Sequence, residues 1–403
     1  MLHLFNSFLL STCKLQIFSL LILQGCLSHN NHIILVSPPN TQAEIPFEVV
    51  SEVIILKAKV NGVTGRFLFD NGFSQSALDP DFGARAGLKF DGESNLTDFN
   101  NIRRSNPFTH VDTSSIGGFQ FLNAKFYAVQ TNALFPCDTI HGIIGGNIIN
   151  QINWQIDWKN QIIRISTEPY IHPGIPVKIS FNKNYETFTK LSVAKGAPIS
   201  CKIDFGSNTA LKLRYDDVIH DMKGVSVEIR TGIRSISAHG LGPVQTSYQT
   251  AEPISIHQDE HQLLSTPATI THELKHSAFL GAPFFKNYLV TINSTLKQYI
   301  LSPYQNRTPH ESRSTYGVAL YFHDGKWKII HKNAVDPYLK EISVWDEVIE
   351  IDQVSANQYP DICSWREYLK KKKKSGDPLH LLLAGQSMPH IVPYQPPVLA
   401  TLP

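Results

Sequence analysis

Apolar residues along this chain gather in short blocks bounded by glycine, proline and asparagine, the pattern of strands and turns. Val49-Val50 and Val53-Ile54-Ile55-Leu56 open the series within residues 45–60. Asn61-Gly62 supplies a hairpin turn, and Phe67-Leu68-Phe69 follows as a buried strand. Further blocks stand at Ile143-Ile144, Ile162-Ile163, residues 201–203 and residues 288–292. Helical patterning is read at residues 78–88, where Asp79 and Pro80 make a start signal, and at residues 362–373. The chain is expected to be mainly β.

One block occurs twice. Gly65-Arg66-Phe67-Leu68-Phe69-Asp70-Asn71-Gly72 carries an apolar strand straight into Asp-x-Gly, and Cys201-Lys202-Ile203-Asp204-Phe205-Gly206-Ser207 repeats the device. A strand ending this way delivers its carboxylate at the mouth of a turn, with the glycine expected to supply the backbone geometry of that turn. Ile143-Ile144-Gly145 then puts a glycine 75 positions after Asp70, and Phe279-Leu280-Gly281 puts one 77 positions after Asp204. Gly145 and Gly281 lie 136 positions apart, and the same offset lays Ile156 on Ile292, Asp157 on Asn293 and Ser166 on Ser302 without a gap. Two copies of one supersecondary plan stand in tandem.

An apolar strand, Asp-x-Gly and a later apolar-apolar-Gly segment resemble one lobe of an aspartic peptidase of the pepsin and retropepsin type. Two copies resemble the bilobal form, and the resemblance covers roughly residues 45 to 305. It implies two tandem retropepsin-like β-barrel lobes, residues 45–170 and 171–305, with Asp70 and Asp204 meeting across a cleft. Two carboxylates that close share one proton, so one serves as base toward a water and the other as acid. No metal ion and no cofactor is expected. Asn71, Gly72, Gly206 and Ser207 are the expected supports of the dyad, Ser207 through a hydrogen bond to Asp204. The family normally carries Thr or Ser after each Asp, bracing the opposite loop. Asn71 can still donate and accept, whereas Phe205 can do neither, so half of that brace is expected to be missing. Phe73 fills a position usually held by a small residue. Flap hairpins are expected between residues 95 and 134, with a tight turn at Gly117-Gly118, and at residues 230–246. No tyrosine marks the first flap; Phe108 and His110 read as plain loop residues, the alternative being that one of them stands in for it.

Residues 1–26 read as an export signal: Lys14 precedes an apolar run, residues 15–23, too short to span a membrane. Leu23-Gln24-Gly25-Cys26 resembles a bacterial lipobox, which implies lipid attachment at Cys26 and an exported, membrane-anchored lipoprotein; the alternative is an ordinary secretory signal. Residues 27–44 read as a tether and 306–314 as a linker. The cysteines left, Cys137, Cys201 and Cys363, are odd in number and scattered, a poor fit to a disulfide scaffold. His272-Glu273-Leu274-Lys275-His276 matches the H-E-x-x-H zinc spacing, but Gly281 and Pro283 cut short any helix that would hold it, so it reads as a chance match.

Beyond the linker, strands at Tyr316 to Tyr321 and Trp327 to Ile330, then Val344-Trp345-Asp346-Glu347-Val348-Ile349, a helix and a strand at 379–383 resemble a PDZ domain over residues 315–390. Trp345 stands where that family has Gly, and residues 391–403 read as a tail. The resemblance implies a C-terminal peptide ligand, with Gly317-Val318-Ala319-Leu320 the nearest candidate for its carboxylate loop. Lys370 to Lys374 read as lysines that close the helix and complement its C-terminal partial charge, the alternative being contact with anionic lipid or nucleic acid. A net charge of +2 and 17% charged residues name no polyanionic partner, so no nucleic acid is expected. The sequence therefore points to an exported, membrane-tethered aspartic endopeptidase acting on polypeptides. The alternative is a pseudo-peptidase that binds peptides through the cleft and the PDZ-like region.

Overall fold

The computed structural model describes residues 33–37, 41–98, 100–233, 235–237, 239–305 and 314–402. The leader with Cys26 and most of the 306–314 linker lie outside the described residues. Three antiparallel strands, Gln42–Val50, Val53–Val60 and Val63–Phe69, open the fold. Their two-residue turns, Ser51-Glu52 and Asn61-Gly62, hold positive φ at both central positions, the geometry whose twist matches a tight hairpin. The third strand runs into Asp70. Beside it, in parallel, lies Gly142–Ile144, with Phe67 opposite Gly142 and Phe69 opposite Ile144. The second copy repeats the arrangement: Ile199–Asp204 runs parallel to Ala278–Gly281, with Asp204 opposite Gly281. These strands are apolar because both faces are covered, as parallel pairs require; Phe67, Phe69, Ile144, Cys201, Ile203 and Leu280 are all buried.

The two copies are joined through backbone hydrogen bonds. Asn153–Asp157 pairs antiparallel with Tyr288–Asn293 at the centre of a six-strand array. On one side it continues through Ile162–Ser166 to Gln42–Val50, on the other through Gln298–Pro303 to Ile175–Lys178. In the central register Trp154 faces Ile292, Gln155 faces Thr291 and Ile156 faces Val290. One hydrophobic core takes in residues from Phe47 to Leu301 and Leu402.

A second core, built on Trp327, Ile329, Leu339, Ile351, Trp365 and Leu381, gathers the C-terminal segment. Its strands Val318–His323, Lys326–Asn333, Glu347–Ile351 and Leu379–Leu383 accompany the helix Ile362–Ser375. Asp361 starts that helix with a capping box shared with Ser364, and Gly376 at φ +73° ends it. Lys372 in its last turn pairs with Asp352 at 2.9 Å.

Several sequence expectations change. The stretch expected to be a tail, residues 391–403, is not one over its described residues 391–402: Ala400–Thr401 pairs with Ser226 and Val227, and Leu402 is buried in the first core. Part of the tether is strand as well, because Ile34–Val36 pairs with Phe119–Ala128 and Gln42–Val50 begins inside it. Cys137 and Cys363 form a disulfide across 226 residues, which an odd cysteine count conceals; Cys201 is free and buried. Residues 272–276 form a loop, with His272 against Tyr215 and His276 against Phe188 and Phe279, so the two imidazoles share no helical face. Among the described residues no helix is long and apolar enough to cross a membrane.

Candidate active site

Each Asp-x-Gly turn points its carboxylate at the other. The Asp70 amide donates to Ile144 O at 3.0 Å, fixing the strand end. Asp70 Oδ1 then accepts from the amides of Gly72 (2.8 Å) and Phe73 (3.1 Å), while Asp204 Oδ1 accepts from Gly206 (3.0 Å). Asp70 and Asp204 lie within hydrogen-bonding reach of each other. Burial first, and the Asp204 charge next, push Asp70 up to about 8, with Lys202 pulling the other way.

The glycines serve a different purpose from the one their sequence suggested. Neither Gly72 nor Gly206 has positive φ, so the turn does not need glycine's backbone freedom. A Cβ on Gly72 would lie 2.3 Å from Asp204 Oδ1, and one on Gly206 would lie 2.3 Å from Asp70 Oδ2. Any side chain would occupy the place of the opposite carboxylate. Each glycine is a requirement of the pair and not of its own loop.

Asn71 crosses between the copies. Its Oδ1 accepts from the Phe205 amide at 2.9 Å and its Nδ2 donates to the Tyr299 hydroxyl at 3.1 Å. The reciprocal bond is replaced by packing, since Phe205 stacks on Phe285 at 4.6 Å and meets Phe69 edge-on at 5.7 Å. Ser207 departs from expectation: its hydroxyl pairs with the Thr209 backbone and not with Asp204. Phe73 lies half-buried in the wall of the cleft, where its carbonyl accepts from Gly146 at 2.8 Å.

Lys202 was missed among the apolar residues of its strand. It stands two residues before Asp204, hence on the same strand face. Its Nζ lies 2.6 Å from Glu186 Oε1, and both residues are buried. A lysine between the apolar residues Cys201 and Ile203 was the available signal.

Two hairpins roof the dyad. The first joins Gly92–Thr97 to Arg103–Ile116, the second joins Ser226–Ile233 to Val244–Thr250. Phe108 and His110 belong to the long strand of the first hairpin and not to a loop; Lys125 Nζ sits 3.7 Å over the Phe108 ring. The tips interlock. Asn100 Nδ2 donates to Ser237 Oγ (3.0 Å), Ser235 Oγ donates to Asn100 Oδ1 (2.6 Å), and Ser237 Oγ donates to Asp98. Beneath them a cavity of about 380 Å³ runs from Asp204 along Val53, Leu68, Phe73 and Phe135. A smaller one of about 70 Å³ lies on the other side, between Gly72, Asp98, Asp204 and Lys202. A larger cavity of about 720 Å³ beside Trp158, Lys286 and Tyr304 is lined by neither aspartate.

Residues 56–148 match a family model described as aspartyl protease. The match supports an aspartyl protease domain that contains Asp70 and Gly145; Asp204 lies beyond it. No curated protein matches the chain.

Proposed function

We propose that the chain is an aspartic endopeptidase in which Asp70 and Asp204, one from each of two retropepsin-like lobes, form the catalytic dyad. The observation that carries this reading is the mutual exclusion at the two turns, where each glycine leaves room only for the other copy's carboxylate. With one proton between them, the ionised member takes a proton from a water that attacks the peptide carbonyl, and the protonated member hydrogen-bonds the developing oxyanion and then supplies the leaving amine. Asp70, raised by burial and by Asp204, suits the protonated role at neutral pH. Gly72 and Phe73 amides and the Asn71 cross-bond hold the pair in line, where a shift of about 1 Å can cost ~10²-fold in rate. The interlocked hairpin tips must part to admit a polypeptide.

In this reading residues 315–390 are a PDZ-like module and the mature chain is exported and lipid-anchored at Cys26. The Cys137–Cys363 disulfide supports export, because such bonds persist in oxidising compartments. A second reading, peptide binding without cleavage, is favoured by Phe205 in place of a hydroxyl residue. Cleavage of a mixed peptide library, followed by mass spectrometry from pH 3 to 8, separates the two. Cutting by the wild type and none by Asp70→Asn or Asp204→Asn is the expected outcome; three inert proteins that still bind peptide would leave the binding reading.

A further inference from the structure

The helix Ile362–Ser375 belongs to the C-terminal segment, yet Arg366 from that helix lines the cavity next to Asp204. Arg366 is exposed, but its helix is anchored there covalently. Cys363, three residues earlier and on the same side of the helix, is bonded to Cys137, with Cα atoms 5.4 Å apart. Cys137 follows the Leu134-Phe135 stretch that lines the same cavity. Arg366 Nη1 lies 3.6 Å from Cys137 Sγ, and among the described residues no carboxylate pairs with the guanidinium.

The acids already in the cavity are otherwise engaged. Asp98 accepts from Ser237 Oγ and from the Ile102 amide, and Asp204 belongs to the dyad. Lys212 adds a second cation to the wall. A planar fork of donors at the edge of a mixed cavity with one apolar wall matches a carboxylate attached to a chain whose neighbouring residue is apolar. Val53, Leu68, Phe73 and Phe135 provide the apolar part.

We propose that Arg366 selects substrates presenting a carboxylate beside an apolar residue near the scissile bond, either an Asp or Glu side chain or a free C-terminus. The cleavage readout rests on the peptidase reading; the binding readout does not.

The test uses the full chain and one apolar peptide in several forms: neutral, with Glu or Lys scanned through the flanking positions, and with a free or an amidated C-terminus. Wild type, Arg366→Met and Arg366→Glu are compared by kcat/KM. The same Arg366 changes in an Asp70→Asn background are compared by fluorescence anisotropy. Carboxylate-bearing peptides are expected to be favoured roughly 10- to 100-fold, the range of one charge-assisted hydrogen bond. The ratio falls to near one in Arg366→Met, and Arg366→Glu favours the Lys peptide over the Glu peptide. The Glu and free-terminus arms separate the two sources of the carboxylate. Cys363→Ser, which keeps Arg366 but removes its tether, loses most of the preference. A ratio near one in wild type, or one unchanged by Arg366→Met, overturns the inference. Cleavage without carboxylate preference overturns it and leaves the peptidase standing, whereas Arg366-dependent binding without cleavage does the reverse.

Discussion

At the scale of single residues, Asn71 and Asp70 carry the most consequence. Asn71 ties one turn to the other beside the dyad, so Asn71→Ala leaves the Phe205 amide without its partner in a buried place and takes a donor from the Tyr299 hydroxyl. We expect destabilisation of about 1–3 kcal/mol in urea unfolding and a loss of roughly 10²-fold in kcat/KM from the displaced dyad. Asp70 makes both activity and stability pH-dependent. Its folded value lies near 8 against 3.8 for the free side chain. Between those values the folded chain keeps a proton that the unfolded chain releases. Stability contributed there is fully present below the lower value and is lost as pH rises through the upper one. Unfolding midpoints should therefore fall from acid to neutral pH in wild type, and Asp70→Asn should remove that part of the slope. Cleavage should decline above about pH 8 as Asp70 ionises. Removing the nearby cation in Lys202→Met, with Glu186→Gln to avoid a stranded buried charge, should move that limb to higher pH.

At the scale of elements, the separations of 75 and 77 between each Asp and its later glycine reappear as strand registers. Phe67 pairs with Gly142 and Phe69 with Ile144 at the first spacing; Asp204 pairs with Gly281 at the second. A spacing between two buried strands is constrained by their alignment, so that part of the fold was legible. The Asn61-Gly62 turn and the two patterned helices were legible because their signals are local. What escaped were contacts between distant segments with no periodic trace: the Cys137–Cys363 bond, the return of Ala400–Thr401 to Ser226, and the meeting of Asn100 with Ser237. Trp345 lies between these cases. The sequence showed it at a position expected to be glycine, and it does adopt φ +78°, which costs a bulky residue of order 1–3 kcal/mol. Its ring is partly exposed and meets His323 at 5.7 Å. Trp345→Gly should raise the urea midpoint of the C-terminal segment, gaining about 1 kcal/mol once the lost ring contact is subtracted; a lowered midpoint would show that the ring contributes more than the backbone strain costs.

At the scale of the molecule, the 136-residue offset read from the chain is built into the sheet that joins the copies. Gln155 and Thr291 are offset equivalents, and they face each other at the centre of the pairing, with Gln155 Nε2 donating to Thr291 Oγ1 at 3.3 Å. An approximate two-fold axis therefore passes between them. A fragment of residues 41–170 would expose the edge Asn153–Asp157, whose Trp154 and Ile156 are buried in the intact chain. Such an edge is a template for pairing, so the fragment should elute as a dimer in size-exclusion chromatography, and Gln155→Pro should return it to a monomer.

The axis is only approximate, and its imperfection has a directional consequence. Two identical half-sites would hold a peptide equally well either way round. Asp70 takes two amides at one oxygen and Asp204 takes one, and the Phe205 amide donates across to the Asn71 side chain while the Phe205 side chain can return no such bond. A polypeptide lying across the dyad would thus meet a head and a tail, and its N-to-C polarity would be chosen before any side chain is read.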